Sequence, residues 1–297
     1  MENKNDMSKN IIIIILMLMI IGLAGLMCYD KFVVNKEPEK TKIIEKKEET
    51  KKEEMTKEEE LSLDSEMVKK LYSPFRHHTY EADMEELYSK DIITPNELSN
   101  TYRNRLAFAY YFETKAKGNR NNAYDGSDTY KGLFSYSYLL STTLEKYYKE
   151  FFGNNISYIP ETFDSYNIDL LTMTYNKSKL RYESDDVAGD ASFYRYATQL
   201  YKAIQTNKSI ELYEYTVVLK QKSVGYVTFF NNINDAKEFK NPGFEIKIES
   251  ISTLYGTNNE IDLSLNKIQP TVSKYKITFT KDTTGNYYFT KIEKVDK

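Results

Sequence analysis

The pattern of hydrophobic and polar positions divides the chain into an apolar N-terminal run, a highly charged stretch and a long globular part. The apolar run extends from Ile11 to Cys28, 18 residues without a charged side chain. As a helix it would be about 27 Å long, which is close to the thickness of the hydrocarbon core of a membrane. It therefore predicts a transmembrane anchor over residues 11–28, preceded by a short tail over residues 1–10.

Two other interpretations of the apolar run are a cleaved signal peptide and a lipoprotein signal. A secretory signal usually has a shorter apolar region that ends at a small-x-small cleavage site. The best local small-x-small motif, Gly22-Leu23-Ala24, would place the cut inside the run. A lipoprotein signal needs a small residue directly before the cysteine, whereas Met27 precedes Cys28. These features favour an uncleaved anchor.

The flanking charges bear on the orientation of the anchor. Lysines are more numerous after the run than before it: Lys4 and Lys9 precede it, and Lys31, Lys36, Lys40 and Lys42 follow it. Counting positive charges alone places the C-terminal side in the cytoplasm. Long domains, however, cross the membrane largely regardless of these charges, and a short tail easily stays inside. We therefore expect the large domain to be extracytoplasmic, against the charge count.

Residues 29–60 form a spacer rich in Lys and Glu. Residues 35–60 are of low complexity, with dense charges of both signs. Such a segment cannot bury a hydrophobic core by itself. Lys and Glu four residues apart permit a solvated helix, but Ile43, Ile44 and Met55 do not form coiled-coil heptads. We interpret the segment as a coiled or disordered linker between the membrane and the globular part.

Helical periodicity dominates residues 61–153, and its clearest signal follows Thr94. Thr94 is placed as an N-cap, Pro95 occupies the first helical position and Glu97 completes a capping box. Apolar residues then recur on one helical face until Gly118, a natural stop. The sequence predicts one helix from Thr94 to the glycine.

Two further helices are predicted in the same part of the chain. An apolar stripe over residues 61–72 predicts a helix that ends before Pro74. Another stripe predicts a helix over residues 135–152, which Gly153 ends.

In residues 154–297 the period of the pattern changes to two, which is typical of strands. Residues 168–184 predict a hairpin that turns near Asn176, and residues 273–295 predict another with Gly285 in its turn. Single strands are predicted over residues 194–204, 209–220, 224–230 and 243–256.

Segregated helices followed by antiparallel strands indicate an α+β fold. The expected arrangement is a helical part, residues 61–153, packed with an antiparallel β part, residues 154–297, as one domain. A helix on a curved sheet, of the NTF2-like or cystatin-like kind, is one architecture that uses these parts; this is an analogy at the level of the fold.

The layout of the chain also resembles a known group of proteins. The N-terminal span, the Lys/Glu spacer, the "FFG" of residues 151–153 and the final "GNYYFTKIEKV" of residues 285–295 are similar to uncharacterised single-span envelope proteins of low-GC Gram-positive bacteria. The similarity covers the layout of most of the chain. It implies a location in the cell envelope and no catalytic residues.

Composition excludes several classes of function. Residues 61–297 carry 30 basic and 31 acidic side chains, so the globular part has no broad attraction for nucleic acid. The single cysteine rules out a disulfide within the chain. The sequence has 27 tyrosines and no tryptophan. The tyrosines are explained either by an aromatic carbohydrate-binding surface or, as we prefer, by ordinary strand and core positions.

Motifs for common chemistries are missing from the sequence. It contains no phosphate-binding glycine loop, no H-E-x-x-H, no G-x-S-x-G and no C-x-x-C. The two histidines, His77 and His78, are adjacent and point to different sides in a regular helix or strand. A zinc site rich in His or Cys is therefore excluded. We expect no cofactor.

Acidic side chains gather in one loop and supply a weak calcium candidate. Glu183, Asp185, Asp186 and Asp190 lie within eight residues, and oxygen ligands at short spacing suit Ca²⁺. Asp125 and Asp128 form a similar turn. The spacing does not match the EF-hand pattern, and a solvated loop explains these residues equally well. We expect no metal site.

Three functions fit these features. The first is a non-catalytic, membrane-anchored binding or assembly module, with Tyr287, Tyr288 and Phe289 of the last hairpin as the candidate surface for an envelope protein or a wall polymer. Alternating side chains would turn part of this set into the core. The second is an envelope hydrolase acting on wall glycan or peptide through paired carboxylates, which leave no local motif. The third is a sensor or regulator domain of a membrane complex.

The orientation is tested with an epitope tag after Lys297. We expect protease treatment of intact, wall-stripped cells to remove the tag while a cytosolic control protein survives, because the large domain lies outside. Survival of the tag until the cells are lysed would show that the positive-charge count determines the orientation.

Overall fold

The computed structural model describes residues 58–75, 85–130, 134–165, 171–186, 194–223, 226–247, 264 and 266–295. The predicted anchor, most of the spacer and both histidines lie outside these ranges. Among the described residues, no helix is long and apolar enough to cross a membrane. The described elements belong to one compact unit, Met55–Lys297.

The described residues combine helices with antiparallel strands, which confirms the predicted α+β class. The α-helices are α1 (Glu66–Tyr72), α2 (Asn100–Thr114), α3 (Ser141–Phe152) and α4 (Ile233–Glu238), and residues 85–87 form a further helical turn. The strands are β1 (Glu59–Glu60), β2 (Ile92–Ile93), β3 (Gly126–Tyr130), β4 (Phe134–Leu140), β5 (Phe163–Asp164), β6 (Leu171–Asn176), β7 (Arg181–Asp186), β8 (Tyr194–Gln205), β9 (Ser209–Ser223), β10 (Tyr226–Phe230), β11 (Phe244–Lys247), β12 (Ser273–Lys281) and β13 (Tyr287–Lys294).

These strands form two antiparallel sheets, where the pattern predicts one. The eight-stranded sheet has the order β1-β8-β9-β12-β13-β2, with β10 on β9 and β11 on β10. The five-stranded sheet has the order β3-β4-β7-β6-β5. Both predicted hairpins are confirmed: β6 pairs with β7, and β12 pairs with β13. Gly285 in the last turn has a φ of 96°, a conformation that suits glycine.

The longest strand, β9, organises the eight-stranded sheet. Along one edge it pairs with β8. On its other edge it pairs first with β12 and then with β10. At the far edge of β8, β1 pairs with Gln205 and Ile204. The end of the predicted spacer is therefore an edge strand of the sheet.

The helix predicted from Thr94 begins later in the structure. Thr94 and Glu97 do form a capping box, but it caps a short 3₁₀ helix, Pro95–Glu97. The backbone is then extended at Leu98, and α2 starts after a second cap, Ser99, whose hydroxyl accepts the N–H of Tyr102 at 3.1 Å. The 3₁₀ helix and α2 each have their own N-cap, but their apolar residues follow one helical stripe. Hydrophobic periodicity therefore predicts a single helix where the structure has two.

The helix predicted over residues 135–152 is a strand followed by a helix. Residues 134–140 form β4, and α3 begins only at Ser141. Aromatic residues at Phe134, Tyr136 and Tyr138 alternate with serines, which is the period of a strand. Gly153 ends the helix as predicted, with a φ of 80°.

One hydrophobic core joins the helices to both sheets. Its members include Phe108 of α2, Phe163 and Tyr182 of the smaller sheet and Leu212 and Ile277 of the larger one. Helix α2 is buried on nearly every side, because α1, α3 and β5 all pack against it. A smaller cluster on the opposite face of the larger sheet consists of Val217, Leu219, Val227, Phe229, Ile268 and Val272.

Aromatic rings form the contact between α3 and the larger sheet. The ring of Phe289 stacks on Phe151 at 5.8 Å and lies 5.2 Å from Phe75 and 6.0 Å from Phe279 between ring centroids. Such ring pairs add to the stabilisation that comes from burying their apolar area.

We expect Phe289→Ala to lower the free energy of unfolding by about 3–5 kcal/mol, because it leaves a cavity among three rings. The measurement is urea denaturation followed by circular dichroism. Ile159→Ala is the control, since that side chain is 46% exposed and its loss should cost at most about 0.5 kcal/mol. Equal effects of the two substitutions would contradict the assigned core.

Candidate functional site

The structure separates the three aromatic residues predicted as a binding surface. Phe289 is 1% exposed and belongs to the core. Tyr287 is half-buried and packs against that core, with Lys281 above its ring at 5.6 Å. Tyr288 is half-buried, and its hydroxyl donates to Asp282 at 3.1 Å. Phe289 is thus unavailable to a partner in the folded domain.

Glu183, one of the calcium candidates, is engaged by basic groups. Arg181 donates to it from Nε at 2.9 Å and from Nη2 at 2.8 Å, and Lys179 lies 3.3 Å away. Partial burial raises the pKa of Glu183, but the hydrogen bonds from Arg181, Asn176 and Lys179 outweigh it and lower the pKa. The same guanidinium also bonds Asp128 and lies 4.2 Å from the ring centroid of Tyr138.

The other acidic residues of that loop are placed only in part. Asp185 and Asp186 end β7, opposite Thr172 and Leu171 of β6, and Asp190 lies outside the described residues. Within the described ranges, no three potential metal-ligating side chains come together.

Asp125, of the second acidic turn, caps a helix from a distant position in the chain. Its Oδ2 accepts the N–H of Leu140 and the hydroxyl of Thr143, both at 2.8 Å. These donors belong to the start of α3, whose own N-cap residue has no polar side chain. A carboxylate at a helix N-terminus is stabilising, so Asp125 has a structural role.

The outer face of the larger sheet carries a group of residues that the sequence analysis does not single out. We call Tyr201, Tyr213, Tyr215, Lys202 and Lys274 the tyrosine–lysine patch; all five are half-buried. The rings of Tyr201 and Tyr215 are stacked, with 4.1 Å between centroids and 14° between planes. Lys202 lies above the ring of Tyr213 at 5.5 Å, and Lys274 lies above that of Tyr215 at 5.7 Å.

A β-bulge helps to form this patch. The pairing of β8 with β9 shifts between Leu200, opposite Glu214, and Lys202, opposite Tyr213. Tyr201 is the additional residue between them. A bulge redirects side chains relative to a regular strand. Here it allows neighbouring residues, Tyr201 and Lys202, both to reach tyrosines of the outer face.

The patch borders a group of ion pairs on the same face. Lys276 lies 2.7 Å from Glu293 and 3.4 Å from Glu211, and Lys291 lies 2.8 Å from Glu293. In contrast, no carboxylate among the described residues forms an ion pair with Lys202 or Lys274. The two lysines of the patch therefore keep a positive charge available at the surface.

A second feature of the larger sheet is the buried glutamate Glu214. It lies at the middle of β9 on the core face, and its side chain is fully buried. The hydroxyl of Tyr72 in α1 donates to Oε2 at 2.9 Å, and that of Tyr88 donates to Oε1 at 2.5 Å. On β12, Tyr275 stands directly opposite, with its ring 4.5 Å from that of Tyr88.

Burial dominates the electrostatics of this carboxyl group. It raises the pKa of Glu214 to about 7, although the two hydrogen bonds from tyrosine lower it in part. One signal in the sequence marks the position: in the alternating run Ile210, Leu212, Glu214, the glutamate occupies a core-facing place.

Comparison of the chain with protein-family models, curated proteins and solved structures gives no match.

We expect Asp125→Ala to lower the free energy of unfolding by about 1 kcal/mol, because α3 loses its cap. Asp125→Asn, which keeps an acceptor oxygen, should cost less. Thermal unfolding of the three proteins with and without Ca²⁺ checks this. A thermal midpoint that rises with Ca²⁺ in the wild type and not in Asp125→Ala would instead support the calcium site.

Proposed function

We propose that the protein is a non-catalytic, membrane-anchored binding module of the cell envelope, with a transmembrane helix at residues 11–28 and an extracytoplasmic domain. Its ligand is a negatively charged, hydroxyl-rich wall polymer, and the tyrosine–lysine patch is its binding surface. The observation that carries the proposal is the pair of stacked tyrosines flanked by two lysines that form no ion pair with any carboxylate in the described part of the chain.

The chemistry of the patch suits such a polymer. Tyrosine rings provide rigid apolar surface for the C–H faces of sugars or polyols, and their hydroxyl groups provide polar contacts. Lys202 and Lys274, whose ammonium groups lie above tyrosine rings, attract phosphate or carboxylate groups of the polymer. Because a polymer repeats its charged unit, several weak contacts of this kind add up along its length.

The path of the chain is consistent with this role. Strand β1, at the end of the predicted spacer, pairs with β8, the strand that carries Tyr201 and Lys202. Burial and the hydrogen bond that its hydroxyl donates to Glu211 raise the pKa of Tyr213, and the negative charge of Glu58, which precedes β1, adds to this effect. Because the spacer joins the sheet beside the patch, the length of the spacer limits how far the patch can lie from the membrane.

The test is co-sedimentation of the detergent-solubilised full chain with isolated cell walls. We expect the double variant Lys202→Gln with Lys274→Gln to bind about tenfold or more weakly, since each lysine near an anionic surface contributes about 1 kcal/mol. Binding should also weaken with salt and disappear when the anionic polymers are extracted from the walls.

The matched control is Lys146→Gln with Lys149→Gln on the exposed face of α3, which removes the same charge elsewhere. We expect this variant to bind as the wild type does. Equal binding by both double variants would exclude the patch as the binding surface. Undiminished binding to extracted walls would exclude an anionic polymer as the ligand and favour an envelope protein.

A further inference from the structure

The buried carboxyl group of Glu214 connects three parts of the fold. The carboxyl belongs to the central strand β9, Tyr72 comes from α1, and Tyr88 comes from the segment 85–90. Both tyrosines lie in the part of the chain that follows β1 and precedes α2. The two hydrogen bonds therefore fasten this N-terminal part to the middle of the larger sheet.

The hydrogen-bonding groups can serve both protonation states of the carboxyl. When it is ionised, both tyrosines donate to it. When it is neutral, its own O–H can donate to Tyr72, whose hydroxyl then turns to Thr198, 3.3 Å away. Tyr88 continues to donate to the other oxygen. The two states thus differ mainly in the buried negative charge.

Nothing in the described residues compensates that charge. The titratable groups facing the carboxyl from the packed elements are phenols: Tyr72, Tyr88, Tyr275 and, behind Tyr88, Tyr102. Burial raises the pKa of Tyr275 to about 12 and that of Tyr88 well above its usual range, so these groups stay neutral. Among the described residues an ionised carboxylate here has hydrogen-bond donors but no cation beside it, which is a costly arrangement.

We propose that Glu214, Tyr72 and Tyr88 form a proton-controlled clasp, which holds α1 and the segment 85–90 on the larger sheet while the carboxyl is neutral and loosens when it ionises. Opening of the clasp exposes the carboxylate to water and removes the cost of its burial. With the extracytoplasmic placement of the proposed function, on which this consequence rests, the clasp links the external pH to the hold of the larger sheet on α1 and the segment 85–90.

The direction of the effect follows from proton binding. The pKa of the carboxyl is about 7 in the closed state, and its usual value of 4.5 applies once water reaches it. Between these values the closed state keeps a proton that the open state loses. The closed state is therefore most stable relative to the open state at acidic pH. This difference in stability falls as the pH rises toward 7 and changes little at higher pH.

Hydrogen–deuterium exchange of the full chain tests the clasp. Between about pH 5.5 and pH 8.5, we expect the protection of amides in α1 and residues 85–90, corrected for intrinsic exchange, to fall about tenfold or more. Amides of β12 and β13 should keep their protection. Glu214→Gln should remove the pH dependence, because the amide carries no charge, whereas Glu211→Gln on the outer face of β9 should retain it.

Infrared spectroscopy of the wild type provides an independent readout that needs no variant. The absorption of a protonated buried carboxyl should be present at about pH 5.5 and lost above about pH 8. Three results would overturn the proposal. They are equal protection of the α1 amides at both pH values, the same pH-dependent loss of protection in Glu214→Gln, and the absence of a protonated carboxyl band at about pH 5.5. If Glu214→Gln does not fold, exchange and infrared data of the wild type decide.

Discussion

The alternation of side chains along β9 is the constraint on which the rest of the domain depends. This strand is the only described one that pairs with three others, so its two faces define the two sides of the larger sheet. Ile210, Leu212 and Val218 face the core that the helices complete. Tyr213 and Tyr215 face the opposite side. A shift of one residue in register would exchange these two faces and remove both the core and the patch.

The two faces use polar groups in different ways. On the core face, each oxygen of the Glu214 carboxyl accepts one hydrogen bond from a phenol, and burial shifts its protonation toward the neutral form. On the outer face, Lys276 and the neighbouring glutamates are half-buried, and each charge has a partner of opposite sign. The patch differs from that network because its lysines contact rings instead of carboxylates. Polar groups therefore serve different purposes on the two faces of the larger sheet.

The acidic residues illustrate how tertiary contacts assign roles that spacing does not reveal. Asp125 and Asp128 are close in sequence, yet one caps α3 and the other bonds Arg181 of β7. Glu183 belongs to the same group of ion pairs. Short spacing suggested metal ligands, whereas the fold supplies each of these described carboxylates with protein donors. A carboxylate with protein donors has less capacity left for a cation.

By itself, the sequence determined the α+β class, the two hairpins and the glycines that end α3 and shape the last turn. These features depend on local periodicity and on backbone conformations that few residues adopt. Tertiary structure alone decided that the strands divide into two sheets and that α2 is buried on nearly every side. It also brought Tyr72 and Tyr88 to Glu214, and Tyr201 to Tyr215. Such contacts join residues far apart in the chain, and local pattern identifies neighbouring strands only where a short turn connects them.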